Sequence, residues 1–115
     1  KGGAYGSARD ISMLLATILS EHPGLLEATR EPAAIFHSLN SKSHVGRNTN
    51  ALVSEIPGIL ASKTGFTDIA GGNLVFAFDP EIGHPIVVTI LGSTAEGRFE
   101  DARKLVEATM TYIHQ

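Results

Sequence analysis

The sequence predicts an α+β fold: a three-stranded antiparallel sheet, a C-terminal helix packed on it, and an N-terminal helical segment. Three observations predict it. Apolar residues recur at helical spacing only near the two ends of the chain. Between them lie three short runs rich in Val, Ile and Phe. The loops joining those runs are too short for crossovers, so successive strands pair antiparallel.

In order, Ile11, Leu14, Leu15, Ile18 and Leu19 define a helix over residues 7–21, with Ser7 and Asp10 spaced as a capping box. His22-Pro23-Gly24 stops it. Pro23 suits the first position of a second short helix through Leu25, Leu26 and Ala28, and Pro32 closes that one. Residues 34–39 form a short strand, and the polar stretch 40–50 reads as irregular surface backbone in which Arg47-Asn48-Thr49-Asn50 staples a loop through its amides. After Pro57-Gly58 come strands over 59–64, 72–78 and 85–91. Asp79-Pro80-Glu81-Ile82-Gly83 serves as a hairpin loop, and Gly71-Gly72 as a tight turn. Ser93-Thr94-Ala95-Glu96 reads as the capping box of a last helix. Its inner face carries Phe99, Ala102, Leu105, Val106, Thr109, Tyr112 and Ile113.

Composition narrows the function classes. A formal net charge of −3 over 115 residues, with no basic stripe, argues against nucleic acid as a partner. Without cysteine there is neither disulfide nor thiolate chemistry. The histidines at 22, 37, 44, 84 and 114 never fall three or four apart, so neither a metal nor any other cofactor is expected. Glu96, Glu100 and Asp101 fit a solvated helix face near a positive dipole end.

One stretch carries chemistry. Lys63-Thr64-Gly65-Phe66-Thr67 ends an apolar strand with a cation, two hydroxyls and a glycine. An extended backbone edge needs such groups to hold an anion: a point charge, a hydroxyl donor and room for close approach. This motif is followed by Ala70-Gly71, an apolar strand, Val87-Val88-Thr89-Ile90-Leu91-Gly92 and a helix with Arg98 and Asp101. Ser7-Ala8-Arg9-Asp10-Ile11 and Arg47-Asn48-Thr49-Asn50-Ala51-Leu52 precede it in matching order. From about Ser7 to Tyr112 the chain thereby resembles the low-molecular-weight penicillin-binding proteins, serine-type D-alanyl-D-alanine carboxypeptidases that share their fold with β-lactamases.

The resemblance implies acyl transfer on peptidoglycan stem peptides ending in D-Ala-D-Ala, acylation by β-lactams, and a location outside the cytoplasmic membrane. It assigns Lys63 to the catalytic group and, with Thr64, to the substrate carboxylate. It makes the Phe66 amide an oxyanion donor, has Gly65 leave room for substrate, lets Thr67 extend the hydroxyls and has Arg98 reach the carboxylate. One departure stands out: no serine in the chain has lysine three positions later, so the family's Ser-x-x-Lys nucleophile is absent. Ser38-Leu39-Asn40 matches Ser-x-Asn only by coincidence, because it follows the Ser7 helix that the family motif precedes. Residues 1–115 are thus expected to be the C-terminal portion of such a domain, inactive alone, with Lys1 to Gly6 a loop entered midway. The part carrying Ser-x-x-Lys would be a partner that covers the apolar edge of strand 85–91, unless another copy does. Two rivals remain: a non-catalytic module that grips stem peptides, and a fragment of a β-lactamase or transpeptidase.

Overall fold

The structure, a computed structural model, describes residues 5–114 apart from the Phe36 side chain, so most of the expected opening loop, Lys1 to Ala4, lies outside the described residues. Helix α1 spans Ala8–Glu21, a 3-10 helix Pro23–Arg30, strands β1 Ala33–His37, β2 Ser43–Arg47, β3 Ile59–Thr67, β4 Gly71–Phe78 and β5 Ile86–Ser93, and helix α2 Gly97–Ile113. The main sheet is antiparallel in the order β3-β4-β5, with β1 and β2 forming a separate hairpin.

Cross-strand partners sort the sheet into two faces. Lys63, Val75 and Thr89 are aligned, as are Ala61, Ala77 and Val87. These face α1: Leu15 packs with Ala61 and Ala77, and the Ser12 and Thr89 hydroxyls meet at 2.6 Å. The alternate residues Thr64, Leu74 and Ile90, with Phe76 and Val88, turn toward α2, where Phe99 and Ala102 close the larger core together with Leu52, Ile56 and Phe78. The sheet therefore lies between two helical layers.

Helix α1 is capped as its sequence predicts: Asp10 N donates to Ser7 Oγ and Ser7 N to Asp10 Oδ2, both at 3.1 Å. Several expectations need correction. Residues 43–47, read as irregular, form β2, in register with β1 from Ala33↔Arg47 to His37↔Ser43. Gly71-Gly72 is no turn but the start of β4; a Cβ on Gly72 would collide with the backbone of Thr94, so the close pass of the β5–α2 connection requires glycine. Ser93 remains in β5 and donates to Asp101 Oδ2 at 2.9 Å, while Thr94 Oγ1, ahead of the helix, accepts from Gly97 N at 2.7 Å. The inner face of α2 runs through Phe99, Ala102, Val106 and Met110, leaving Leu105 and Tyr112 at 43% and 75% exposure.

Outside that face, Arg103 forks onto Glu55, with Nη2 to Oε1 at 3.1 Å and Nε to Oε2 at 3.2 Å, and its Nη1 reaches Glu100 at 3.0 Å. The hydrogen bond from Arg103 holds the Glu55 carboxyl below its ordinary value. A depressed carboxylate contributes stability that is present above its unfolded pKa and lost as pH falls through the folded one. In a carbon-detected pH titration, the Glu55 midpoint should lie below that in Arg103→Gln; equal midpoints would refute the pairing.

Candidate functional site

Strand β3 is an edge strand, and its two halves are treated differently. Its first half is covered by the 3-10 helix. Ser62, 4% exposed, donates its amide to Thr29 Oγ1 at 3.1 Å and its hydroxyl to Thr29 O at 2.8 Å, while Thr29 Oγ1 donates to Leu26 O at 2.6 Å. Asn48 Nδ2 also reaches Thr29 O, at 2.7 Å, and Glu31 O, at 3.1 Å. Asn50 N donates to Asn48 Oδ1 at 2.9 Å and Leu52 N to Asn50 Oδ1 at 3.0 Å. The amide staple expected at residues 47–50 is thus present, and it fixes the approach to β3 from the hairpin side.

Past Ser62 no described element continues that covering. The Ser62 amide points outward from the sheet, and strand hydrogen bonding repeats every two residues, so the amides of Thr64 and Phe66 project from the same edge. Lys63 and Gly65 are instead turned into the ladder with Val75 and Asn73. The second half of β3 therefore offers donors to an extended ligand lying alongside it.

The side chains complete this edge. Lys63 is exposed on the α1 face and donates from Nζ to Thr64 O, which leaves two of its three protons for a ligand. The Thr64 hydroxyl meets that of Thr49; with Thr49 donating, Thr64 keeps its own proton for a ligand. Nothing lies within 4 Å of the position a Gly65 Cβ would take, so the strand is open there. Thr67 Oγ1 accepts from Ala70 N at 2.9 Å, closing the β3–β4 turn with its proton still free. Lys63 and Thr64 stand between two hollows. One, about 260 Å³, includes Thr29, Glu31, Arg47, Thr49 and Ser62; the other, about 190 Å³, includes Ile11, Gly65, Asn73 and Leu91.

Arg98, expected to reach the ligand carboxylate, makes its bonds within the protein to backbone carbonyls. It enters from the first turn of α2, with the guanidinium carbon 4.8 Å from the Phe99 ring centroid. Its Nη1 donates to Gly65 O at 3.1 Å, on the ladder side of β3, and to Asn73 O at 3.5 Å on the facing strand β4. Lys63, Thr64, Gly65, Phe66 and Thr67 share β3 as the motif predicts, whereas Thr29 and Asn73, and Thr49 beyond its loop staple, are neighbours that no motif announces. Asn73 had a signal, a poor strand former beside Leu74 and Val75. Its side chain holds the strand ends, donating to Gly71 O at 3.0 Å and accepting from Gly92 N at 2.9 Å.

Among the described residues, no cluster of three His, Cys, Asp or Glu could hold a metal ion, and no helix is long and apolar enough to cross a membrane.

Solved structures share this architecture. Penicillin-binding protein D2 from Listeria monocytogenes, solved with cefotaxime bound, is 32% identical with a TM-score of 0.78, the match covering 92% of this chain and 41% of that one. The ampicillin-bound form gives the same identity and TM-score over 92% and 42%. The D-alanyl-D-alanine carboxypeptidase from Mycobacterium tuberculosis is 25% identical with a TM-score of 0.74, over 92% and 40%. The chain thus spans about two fifths of the length of these relatives. No curated protein sequence matches it. The family model described as D-alanyl-D-alanine carboxypeptidase matches residues 1–94, and with the penicillin-binding-protein fold around its Lys-Thr-Gly strand, the chain belongs to that family.

Proposed function

We propose that this chain supplies the Lys63–Thr67 wall of the active site in a serine D-alanyl-D-alanine carboxypeptidase, and that it is the C-terminal portion of the catalytic domain. One observation carries the reading: the half of β3 that no other described element covers combines outward amides at Thr64 and Phe66 with the Lys63 ammonium and the Thr64 hydroxyl.

The reaction we read for this edge is the one the family resemblance implies. The terminal carboxylate of a stem peptide is held by Lys63 and Thr64, by charge-assisted bonds that strengthen as the cleft excludes water. The peptide extends along β3 past the open position of Gly65. A serine outside this sequence attacks the carbonyl carbon of the penultimate D-Ala; negative charge on the carbonyl oxygen is met by the Phe66 amide. As the C–N bond breaks, the proton lost by the serine hydroxyl passes, beside the Lys63 ammonium, to the departing D-Ala amine, so that Lys63 ends the step still charged. Water then attacks the acyl-enzyme, releases the shortened peptide and restores the serine hydroxyl. A β-lactam mimics the first half, its own carboxylate on Lys63 and Thr64. Cefotaxime and ampicillin bound to the Listeria relative support that part of the reading. The substrate places the working protein outside the cytoplasmic membrane.

Because no serine stands in Ser-x-x-Lys, the chain alone should bind without cutting. Incubated with fluorescent penicillin, it should acquire no covalent label, whereas an N-acyl-D-Ala-D-Ala peptide should shift the amide resonances of Lys63, Thr64 and Phe66. A covalent adduct would overturn the missing nucleophile; silence at all three amides would overturn the binding wall.

A further inference from the structure

We infer that Arg98 is a positioning residue that acts through the Gly65–Phe66 peptide group, orienting and polarising the amide that faces a developing oxyanion. This rests on the role proposed above for the Phe66 amide.

Three observations converge. Gly65 O and Phe66 N–H belong to one peptide plane, and no described peptide bond is cis, so the two groups point in opposite directions. The Arg98 Nη1–Gly65 O bond lies on the ladder side of β3, so the Phe66 amide must project from the free edge. The guanidinium is also seated from behind: Nη1 is shared with Asn73 O, the carbon lies over the Phe99 ring, and Nε is buried with no partner among the described residues. A side chain held that way approaches Gly65 O from a fixed direction.

The chemical consequence is directional. A cation donating to a peptide oxygen draws electron density from the nitrogen and makes the N–H a stronger donor, as along a chain of hydrogen bonds. Lys63 cannot do this, since its Nζ bonds Thr64 O, the carbonyl of the preceding peptide. The two cations thus divide the edge: Lys63 meets the ligand from the α1 face, and Arg98 acts through the backbone from α2. Rotation of the Gly65–Phe66 plane, which an unsubstituted Gly65 would otherwise permit, is opposed at its oxygen.

The test uses the isotope-labelled 115-residue chain in solution. A scalar coupling across the hydrogen bond between Arg98 Nη1 and the Gly65 carbonyl carbon is expected in the unmodified protein. Arg98→Gln should move the Phe66 amide proton upfield by more than any other outward amide of β3, and Arg98→Lys should recover part of that shift. A purely structural arginine would disturb Thr64 and Phe66 alike, and that pattern overturns the inference. Should Arg98→Gln not fold, the unmodified chain decides, because a missing Arg98–Gly65 coupling beside visible β3–β4 couplings overturns it as well. Adding N-acyl-D-Ala-D-Ala peptide separates the two readings. A selective Phe66 response to Arg98→Gln with no peptide effect at Lys63 or Thr64 leaves the peptide-plane coupling standing and removes the binding wall; the opposite pattern removes only the coupling.

Discussion

Lys63→Ala is expected to weaken binding of an N-acyl-D-Ala-D-Ala peptide by about 10- to 100-fold. A hydrogen bond to a charged group contributes about 1.5–3 kcal/mol, and about 1.4 kcal/mol corresponds to a factor of ten. The lower end applies where solvent reaches the pair, as it does around the exposed Lys63; a drier cleft moves the loss upward. Truncation leaves no buried orphan, because the Nζ partner in the protein is Thr64 O at an exposed strand end. The variant should therefore fold like the parent, and the loss should sit in affinity alone. Titration calorimetry at two salt concentrations checks this: the unmodified chain should bind more weakly at high salt, and the variant should lose that dependence along with its affinity. Equal affinities for parent and variant would remove Lys63 from the carboxylate site. Lys63→Arg should fall between the two, since it keeps the charge but replaces a compact ammonium with a planar fork.

Why Lys63 was legible in the sequence while Thr29 and Thr49 were not comes down to range. The Lys-Thr-Gly motif, the Ser7–Asp10 capping box and the Asp79 hairpin loop are local signals, each set by residues within about five positions. The capping box forms atom for atom. The hairpin closes as Asp79 accepts from Gly83 N at 2.9 Å and His84 N at 3.1 Å. The elements that failed depend on distant partners. Ser43-His44-Val45-Gly46-Arg47 has a single β-branched residue and a glycine, so propensity argues against a strand. It becomes one because β1 lies opposite and Asn48 ties its end to Thr29 and Glu31. Ser93 resembles an N-cap because its neighbours are good capping residues, yet β5 extends through it and the hydroxyl that meets the first helical amide is that of Thr94. For Arg98, residue type predicts a cation near an anion site, and no nearby residue predicts its bond to the Gly65 backbone. Its distance to Gly65 O is set by a contact thirty-three residues away in sequence, which no local pattern records.

Phe76→Ala is expected to cost about 3–5 kcal/mol of folding stability, the loss typical of a buried phenylalanine. Phe76 is fully buried in the central strand, its ring 6.0 Å from that of Phe78 and tilted 37° to it. Val88 lies beside it on β5 and Ser62 on β3, so the cavity opens under all three strands at once. Ser62 is held to Thr29 by two hydrogen bonds, which limits how far β3 can collapse into the space and keeps the penalty near the upper end. Against the roughly 5–15 kcal/mol that stabilises most native proteins, such a loss consumes a fifth or more of the total. Phe66 provides the internal comparison. It lies one turn of the strand pattern beyond Thr64 and is 52% exposed, so Phe66→Ala should cost well under 1.5 kcal/mol, with its amide and hence the proposed oxyanion contact retained. Urea denaturation of the two variants separates core from site. Phe76→Ala should move the midpoint several times farther than Phe66→Ala, and midpoints shifted alike would mean that the face of β3 and β4 packed on α2 is not the principal core.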